Sequence, residues 1–203
     1  MRTLVIDTVT KACSVALYDG ESVIASTHEI IGRGHAERLL PVIAALPERG
    51  KADRIYVDVG PGSFTGIRVG VAAAVALGFA WSVPVHGYNC LALVAAMARE
   101  RHGEPLPVDA VMTGGHGEYF HQYFDATGAS SAAPVSIAPG QLAARLTAFT
   151  VAGDIADVPP DIGHFDLLPD ASCWHLLGAV DPLPPKPVYA RGPDAKPPEA
   201  VRS

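Results

Sequence analysis

The chain has 203 residues, 49% of them hydrophobic and 18% charged, with a mean hydropathy of +0.23. That is enough apolar material for one large core or two small lobes, and it excludes disorder for most of the length. A net charge of −6 and a pI near 5.7 argue against a protein that grips a phosphate backbone by charge alone.

Residues 3–8 form a short apolar run that closes on Asp7 and Thr8. A carboxylate there interrupts what would be the apolar stretch of an export signal. The three cysteines, Cys13, Cys90 and Cys173, are scattered without C-x-x-C spacing, which fits a reducing cytoplasm and no structural zinc. Residues 13–18 and 22–27 are strand-like and flank Asp19-Gly20, the strongest short hairpin signal. A helical pattern follows over 34–46, with Pro41 expected to kink it or delay its start. Residues 54–59 form a fourth strand that runs straight into a glycine-rich loop at 60–66. The helix expected at 67–81 carries one charge, Arg68, and apolar side chains on every face. No run reaches the ~18 uninterrupted apolar residues of a membrane span. A strand at 83–87 and a helix at 91–102 complete an α/β pattern with a mixed sheet.

Residues 104–108 read as a linker between a first lobe, 1–103, and a smaller second lobe, 104–192. Strands are expected at 108–112 and 119–124. Beyond residue 130 the composition shifts, with 12 of the 18 prolines there. Only 141–149 and 171–177 look helical, and 193–203 is expected to be a loose tail. No internal repeat is visible.

A strand, a glycine-rich turn and a helix start can offer backbone N–H groups to an anion. The loop fits no named phosphate motif: a P-loop requires Gly-Lys where Thr65 and Gly66 stand, and the dinucleotide pattern misses its third glycine by one position. Two readings stay open. The glycines permit close packing of another backbone, or Gly60, Gly62, Ser63 and Thr65, with Asp7 and Thr8, form a phosphate loop. The histidines lack the three- or four-residue spacing of a helical metal pair, so no metal site is expected. An all-round apolar helix needs cover on two sides. A further ~400 Å² of buried apolar surface is worth on the order of 10 kcal/mol before association costs. The cover comes from the preceding helix or from a second protein.

MRTLVIDT at 1–8, ACSVAL at 12–17, His35 and Glu37 ahead of Leu39-Leu40-Pro41, and GPGSFTGIRVG at 60–70 closely resemble the bacterial TsaB (YeaZ) family, with an echo at 187–191. The resemblance covers roughly residues 1–125. It implies an actin/hexokinase-like (ASKHA, ribonuclease H-like) mixed sheet with helices in two lobes, the second reduced. It implies a non-catalytic scaffold or activating subunit that binds the catalytic paralogue TsaD, with the ATPase TsaE, in the assembly adding threonylcarbamoyl to N6 of adenosine 37 of tRNAs. TsaD carries an H-x-x-x-H metal pair; here His35 is followed by Leu39. The implied partner surface is built from His35, Leu39, Leu40 and Ile43 on one helix and Gly66, Ile67, Gly70, Val71 and Ala74 on the next. Without TsaD the chain is expected to form a homodimer; contact with tRNA is indirect, and no membrane is involved. No tightly bound cofactor is expected, with ATP or ADP confined to the subunit junction. The chain departs from the family at Thr113-Gly114-Gly115-His116, where an Asp-Ala-Arg run is usual, and at Val9, where nucleotide-binding relatives carry glycine. Two other readings are an ATP-binding kinase or ATPase of the same fold and, last, a glycoprotease-like peptidase.

Overall fold

Two apolar runs and the Asp19-Gly20 turn, with Gly20 at φ +61°, start the chain as an antiparallel meander: β1 (Arg2–Asp7) and β2 (Ala12–Asp19), both buried along nearly their whole length, and β3 (Ser22–Ile30), whose side chains alternate between half-buried and exposed over most of the strand. The computed structural model describes residues 1–115, 117–156, 158–178 and 182–190. His116, Arg191 and the expected tail at 193–203 lie outside the described residues.

Next come α1 (His35–Ala45), β4 (Arg54–Asp58), α2 (Phe64–Trp81), β5 (Val85–Tyr88) and α3 (Cys90–His102). The first sheet has the order β3-β2-β1-β4-β5, with β4 and β5 parallel to β1. This is the mixed sheet expected. Helix α1 runs unbroken across Pro41, whose missing N–H leaves the Glu37 carbonyl without its helical donor. Helix α2 begins three residues earlier than expected, because Ser63 caps it with its side chain. Its eighteen residues have a mean hydropathy of 1.6, so length and composition match a membrane span after all. Valines, alanines, Ile67 and Leu77 keep that average high. Gly66, Ile67, Gly70, Val71, Ala74 and Gly78 nevertheless pack on the sheet, the behaviour of a core helix.

Helix α3 lies between the two sheets. Leu91, Val94, Ala95 and Ala98 share one core with Val108, Ala110, Met112 and Phe120, while Leu93 joins a separate cluster with Val5, Tyr18 and Tyr88. Its N-cap Asn89 donates to Gln122 Oε1 at 2.8 Å, which ties the helix start to the second sheet.

The second half is more regular than its composition suggests. β6 (Val108–Thr113), β7 (Tyr119–Phe124), β8 (Val135–Ile137), β9 (Thr150–Ala152) and β10 (Gly163–Phe165) form a second five-stranded sheet, ordered β8-β7-β6-β9-β10. With β7 and β8 antiparallel and β9 and β10 parallel, this repeats the first sheet's order. The repeat is topological and leaves no trace in the residues. The helix expected at 141–149 is absent. Buried Asp109 accepts the N–H groups of Thr147 and Ala148, at 2.7 and 2.6 Å, and holds that segment in an irregular path while its other oxygen meets His121 Nε2 at 2.7 Å.

After β10 the chain returns to the first sheet. The 3-10 helix Ala171–Leu177 packs on β1 and β2, where Tyr18 Oη donates to the Ala171 carbonyl at 2.9 Å and the Ala171 N–H donates to Ser14 Oγ at 2.9 Å. Leu183 then bridges Gly87 at the β5 edge, and Val188 N–H donates to the Val59 carbonyl at 2.8 Å. Residues 171–177, 183 and 188 thus lie against the first sheet, not with the rest of the expected second lobe.

Candidate docking face on helix α2

The loop between β4 and α2 is organised by the turn between β1 and β2. Ser63 N–H donates to the Val9 carbonyl at 2.7 Å, and Thr8 Oγ1 donates to the Gly66 carbonyl at 2.7 Å. Ser63 Oγ in turn accepts from Gly66 N–H at 3.2 Å. Gly62, Gly66 and Gly70, four apart, form one face. A Cβ on Gly62 would strike the Val9 carbonyl, and one on Gly66 the Thr8 carbonyl. A Cβ on Gly70 would lie 2.5 Å from Thr8 Oγ1. Gly60, at φ +99°, would press its Cβ into Ile67 and the Val188 carbonyl. Of the two readings of this loop, the geometry favours packing: backbone of the β1–β2 turn occupies the glycine face, and the helix cap is made by Ser63. Thr65 is exposed on the first turn.

Asp7 lies on the opposite face of the sheet. Ile6 pairs with Val57 across β1 and β4, so the next residues, Asp7 and Asp58, stand side by side at the strand ends, and Asp58 pairs with Tyr88 on β5. All three are buried. Asp7 accepts from Tyr88 Oη at 3.2 Å and from Val9 N–H at 3.3 Å; Asp58 Oδ1 accepts from Gly60 N–H at 2.7 Å. Asp58 Oδ2 meets no fixed donor. A proton kept on Asp58 supplies the missing hydrogen bond, donated to Asp7. Burial pushes the Asp7 carboxyl up to about 6, against the hydrogen bonds it accepts from Asp58, Val9 and Tyr88. Burial, then the neighbouring Asp7 charge, raises Asp58 well above the ordinary range. Asp58 was missed in the sequence; its signal was a second carboxylate ending a strand parallel to the one that ends at Asp7.

Two buried histidines are held by protein partners. His35 Nε2 lies 3.0 Å from the Ala12 carbonyl, and His121 pairs with Asp109. Among the described residues no group of three or more His, Cys, Asp or Glu side chains could hold a metal.

The outward face of α2 is apolar and bare. Phe79 is 88% exposed, Phe64 52% and Val75 46%, and Leu40 on neighbouring α1 is 52% exposed. A groove of about 720 Å³ runs along it, from Arg68 past Ala72 and Val75 to Phe79, with Pro187 on its rim. Of the residues expected at a partner surface, Leu40 stands in solvent. His35, Leu39, Ile43, Gly66, Ile67, Gly70, Val71 and Ala74 are buried within this chain. They seat the two helices on the sheet; Val71 also reaches the floor of the groove, and the rest of the surface offered outward lies on the other side of α2.

Two sheets of one repeated order, crossed by a central helix, define an actin/hexokinase-like α/β protein. A family model described as TsaD: tRNA N6-adenosine threonylcarbamoyltransferase matches residues 22–148. The TsaB protein of Escherichia coli is 34% identical over 116 residues, 55% of this chain and 50% of the relative. An uncharacterised protein of Mycobacterium tuberculosis is 32% identical over 213 residues, 96% of this chain and 93% of the relative. YeaZ from Pseudomonas aeruginosa superposes with a TM-score of 0.77 at 26% identity, covering 93% of this chain and 99% of that one. The chain belongs to the TsaB/YeaZ family. Its match spans about half the length of the curated TsaB relatives, 50% in E. coli and 52% in Haemophilus influenzae.

Two predictions follow from the loop and the carboxyl pair. Gly66→Ala forces a methyl group into the Thr8 carbonyl and is expected to cost about 2–3 kcal/mol in urea unfolding, whereas Gly115→Ala, which meets nothing within 4 Å, changes stability by less than about 0.5 kcal/mol. Because the folded form holds the Asp7 proton more tightly than the unfolded chain, its stabilising effect is full below about pH 4 and is lost as pH rises through about 6. Asp7→Asn removes that loss. Its stability relative to wild type should therefore rise between pH 4 and pH 8, read from paired unfolding curves.

Proposed function

We propose that this chain is a non-catalytic subunit in the formation of threonylcarbamoyladenosine in tRNA, docking through the outward face of α2 onto a TsaD-type transferase. The observation that carries this reading is the bare apolar face from Phe64 to Phe79. Burying such a face against another helix releases water from apolar surface, the dominant favourable term in association. Family membership supports the pathway, since the E. coli, H. influenzae and Bacillus subtilis relatives are named for threonylcarbamoyladenosine biosynthesis.

The chemistry is assigned to the partner. Leu39 stands four residues after His35, where a helical metal pair requires a second histidine. The turn carrying Thr8 and Val9 sits against the α2 N-terminus, which argues against a nucleotide held tightly by this chain alone. ATP or ADP belongs, on this reading, at the junction of the two proteins. The TsaE ATPase joins that assembly, tRNA is reached through the transferase, and the site of action is the cytoplasm. In the absence of the transferase the same face pairs with a second copy of this chain.

Size-exclusion chromatography with light scattering tests the reading. The wild-type chain should run as a dimer alone and as a one-to-one complex with the TsaD-type protein of the same genome. Phe79→Glu, exposed and therefore compatible with folding by circular dichroism, should weaken the complex by about a hundredfold or more. Wild-type affinity in Phe79→Glu would rule out this face as the docking site.

A further inference from the structure

One cation stands in the otherwise apolar outward face of α2. Arg68 is the sole charged residue between Phe64 and Trp81. Its guanidinium carbon lies 3.5 Å over the Phe64 ring centroid, and Nε donates to Tyr189 Oη at 3.0 Å. The Phe64 and Tyr189 rings are 5.4 Å apart and tilted by 34°, so the side chain is held from two directions. Arg2 and Arg38 are paired with Glu48 and Glu29, but among the described residues no carboxylate pairs with Arg68. Its Nη1 and Nη2 donate to no acceptor there.

An exposed arginine ordinarily samples many rotamers, and fixing it on binding costs entropy. Here two rings and a hydroxyl have already fixed it. When a partner covers the groove, the guanidinium loses water and requires a counter-charge, since an unpaired buried cation opposes association strongly. A carboxylate matches the planar fork through two parallel hydrogen bonds, which a backbone carbonyl or hydroxyl cannot provide.

We infer that Arg68 selects the protein this face accepts, by requiring an Asp or Glu on the docked helix opposite its two terminal nitrogens. The inference rests on the docking role of α2 and adds the chemistry of the partner surface. Every other side chain on the outward face is uncharged, so the apolar stripe supplies area while Arg68 supplies register and discrimination. The partner is therefore an apolar helix carrying one carboxylate toward the N-terminal end of α2. A second copy of this chain has its own acid on α1, Glu37, and that alternative is separable by experiment.

The full chain is titrated with the TsaD-type protein of the same genome by calorimetry at low and high salt. Arg68→Ala should weaken binding about tenfold and Arg68→Glu about a hundredfold, both with reduced salt dependence; Arg68→Lys should restore only part. One Asp or Glu to Lys change on the partner helix should restore binding to Arg68→Glu while weakening wild type. If Arg68→Glu and Arg68→Ala bind like wild type while Phe79→Glu does not, the inference is overturned and the docking face stands. If Phe79→Glu also binds like wild type, the docking face itself is lost. Rescue of Arg68→Glu self-association by Glu37→Arg, with the two-protein complex indifferent to both, would likewise overturn it.

Discussion

The structure of the first lobe depends on the seating of one backbone turn against one helix. Thr8 and Val9 reach α2 only because Gly62, Gly66 and Gly70 offer no side chains, and the contact is fixed by Thr8 Oγ1 on Gly66 and Ser63 N–H on Val9. That arrangement commits the small-residue face of α2 to its own chain. It also sets the rotation of the helix, so that Val75 and Phe79 face outward and Phe64 stands half-exposed beneath Arg68 and beside Tyr189. A helix with large residues at 62, 66 and 70 would stand off the sheet and leave the strand ends uncovered.

The carboxyl pair beneath the turn belongs to the same design. Asp7 and Asp58 end adjacent parallel strands, the end at which open α/β sheets bind their ligands. Here they are sealed by Tyr88, Cys90 and the loop carbonyl of Pro61, which accepts from Cys90 Sγ at 3.0 Å. Holding a shared proton in that position costs stability at neutral pH, and the β1–β2 turn and Gly60 supply the hydrogen bonds that offset part of it. The returning segment adds a second tie: Leu183 pairs at the β5 edge and Val188 on Val59, which delivers Tyr189 to the start of α2 beside Phe64 and Arg68.

Much of the first lobe was legible in the sequence because its signals are local. The Asp19-Gly20 turn, the strand that runs into Gly60 and the long apolar run of 67–81 after the glycine-rich loop each announce an element without help from distant residues. The faces of the helices were not legible. α2 and α3 are both apolar most of the way round, yet α3 is covered from two sides by Leu93 packing one way and Val94 the other, while α2 is covered on one. Only tertiary contacts decide between them: of the residues expected at a partner surface, Ile67 and Ala74 pack in the core while Val71 also borders the groove. The second sheet was hidden for another reason. Three of its strands, β8, β9 and β10, are three residues long, too short for an alternating pattern, and the irregular stretch at 142–148 is imposed by Asp109, more than thirty residues away. Asp58 escaped notice because its meaning lies in the register between β1 and β4, which becomes visible once the strand order is known.

On the proposed function, the outward side of α2 is a surface made to be covered by another protein. A photo-reactive amino acid placed at position 79, with one at position 24 on the exposed edge strand β3 for comparison, measures this directly in the presence of the TsaD-type protein. A docked α2 face gives a cross-link to that protein from position 79 and none from position 24. A cross-link from 24 with none from 79, in a complex that still forms, would contradict it.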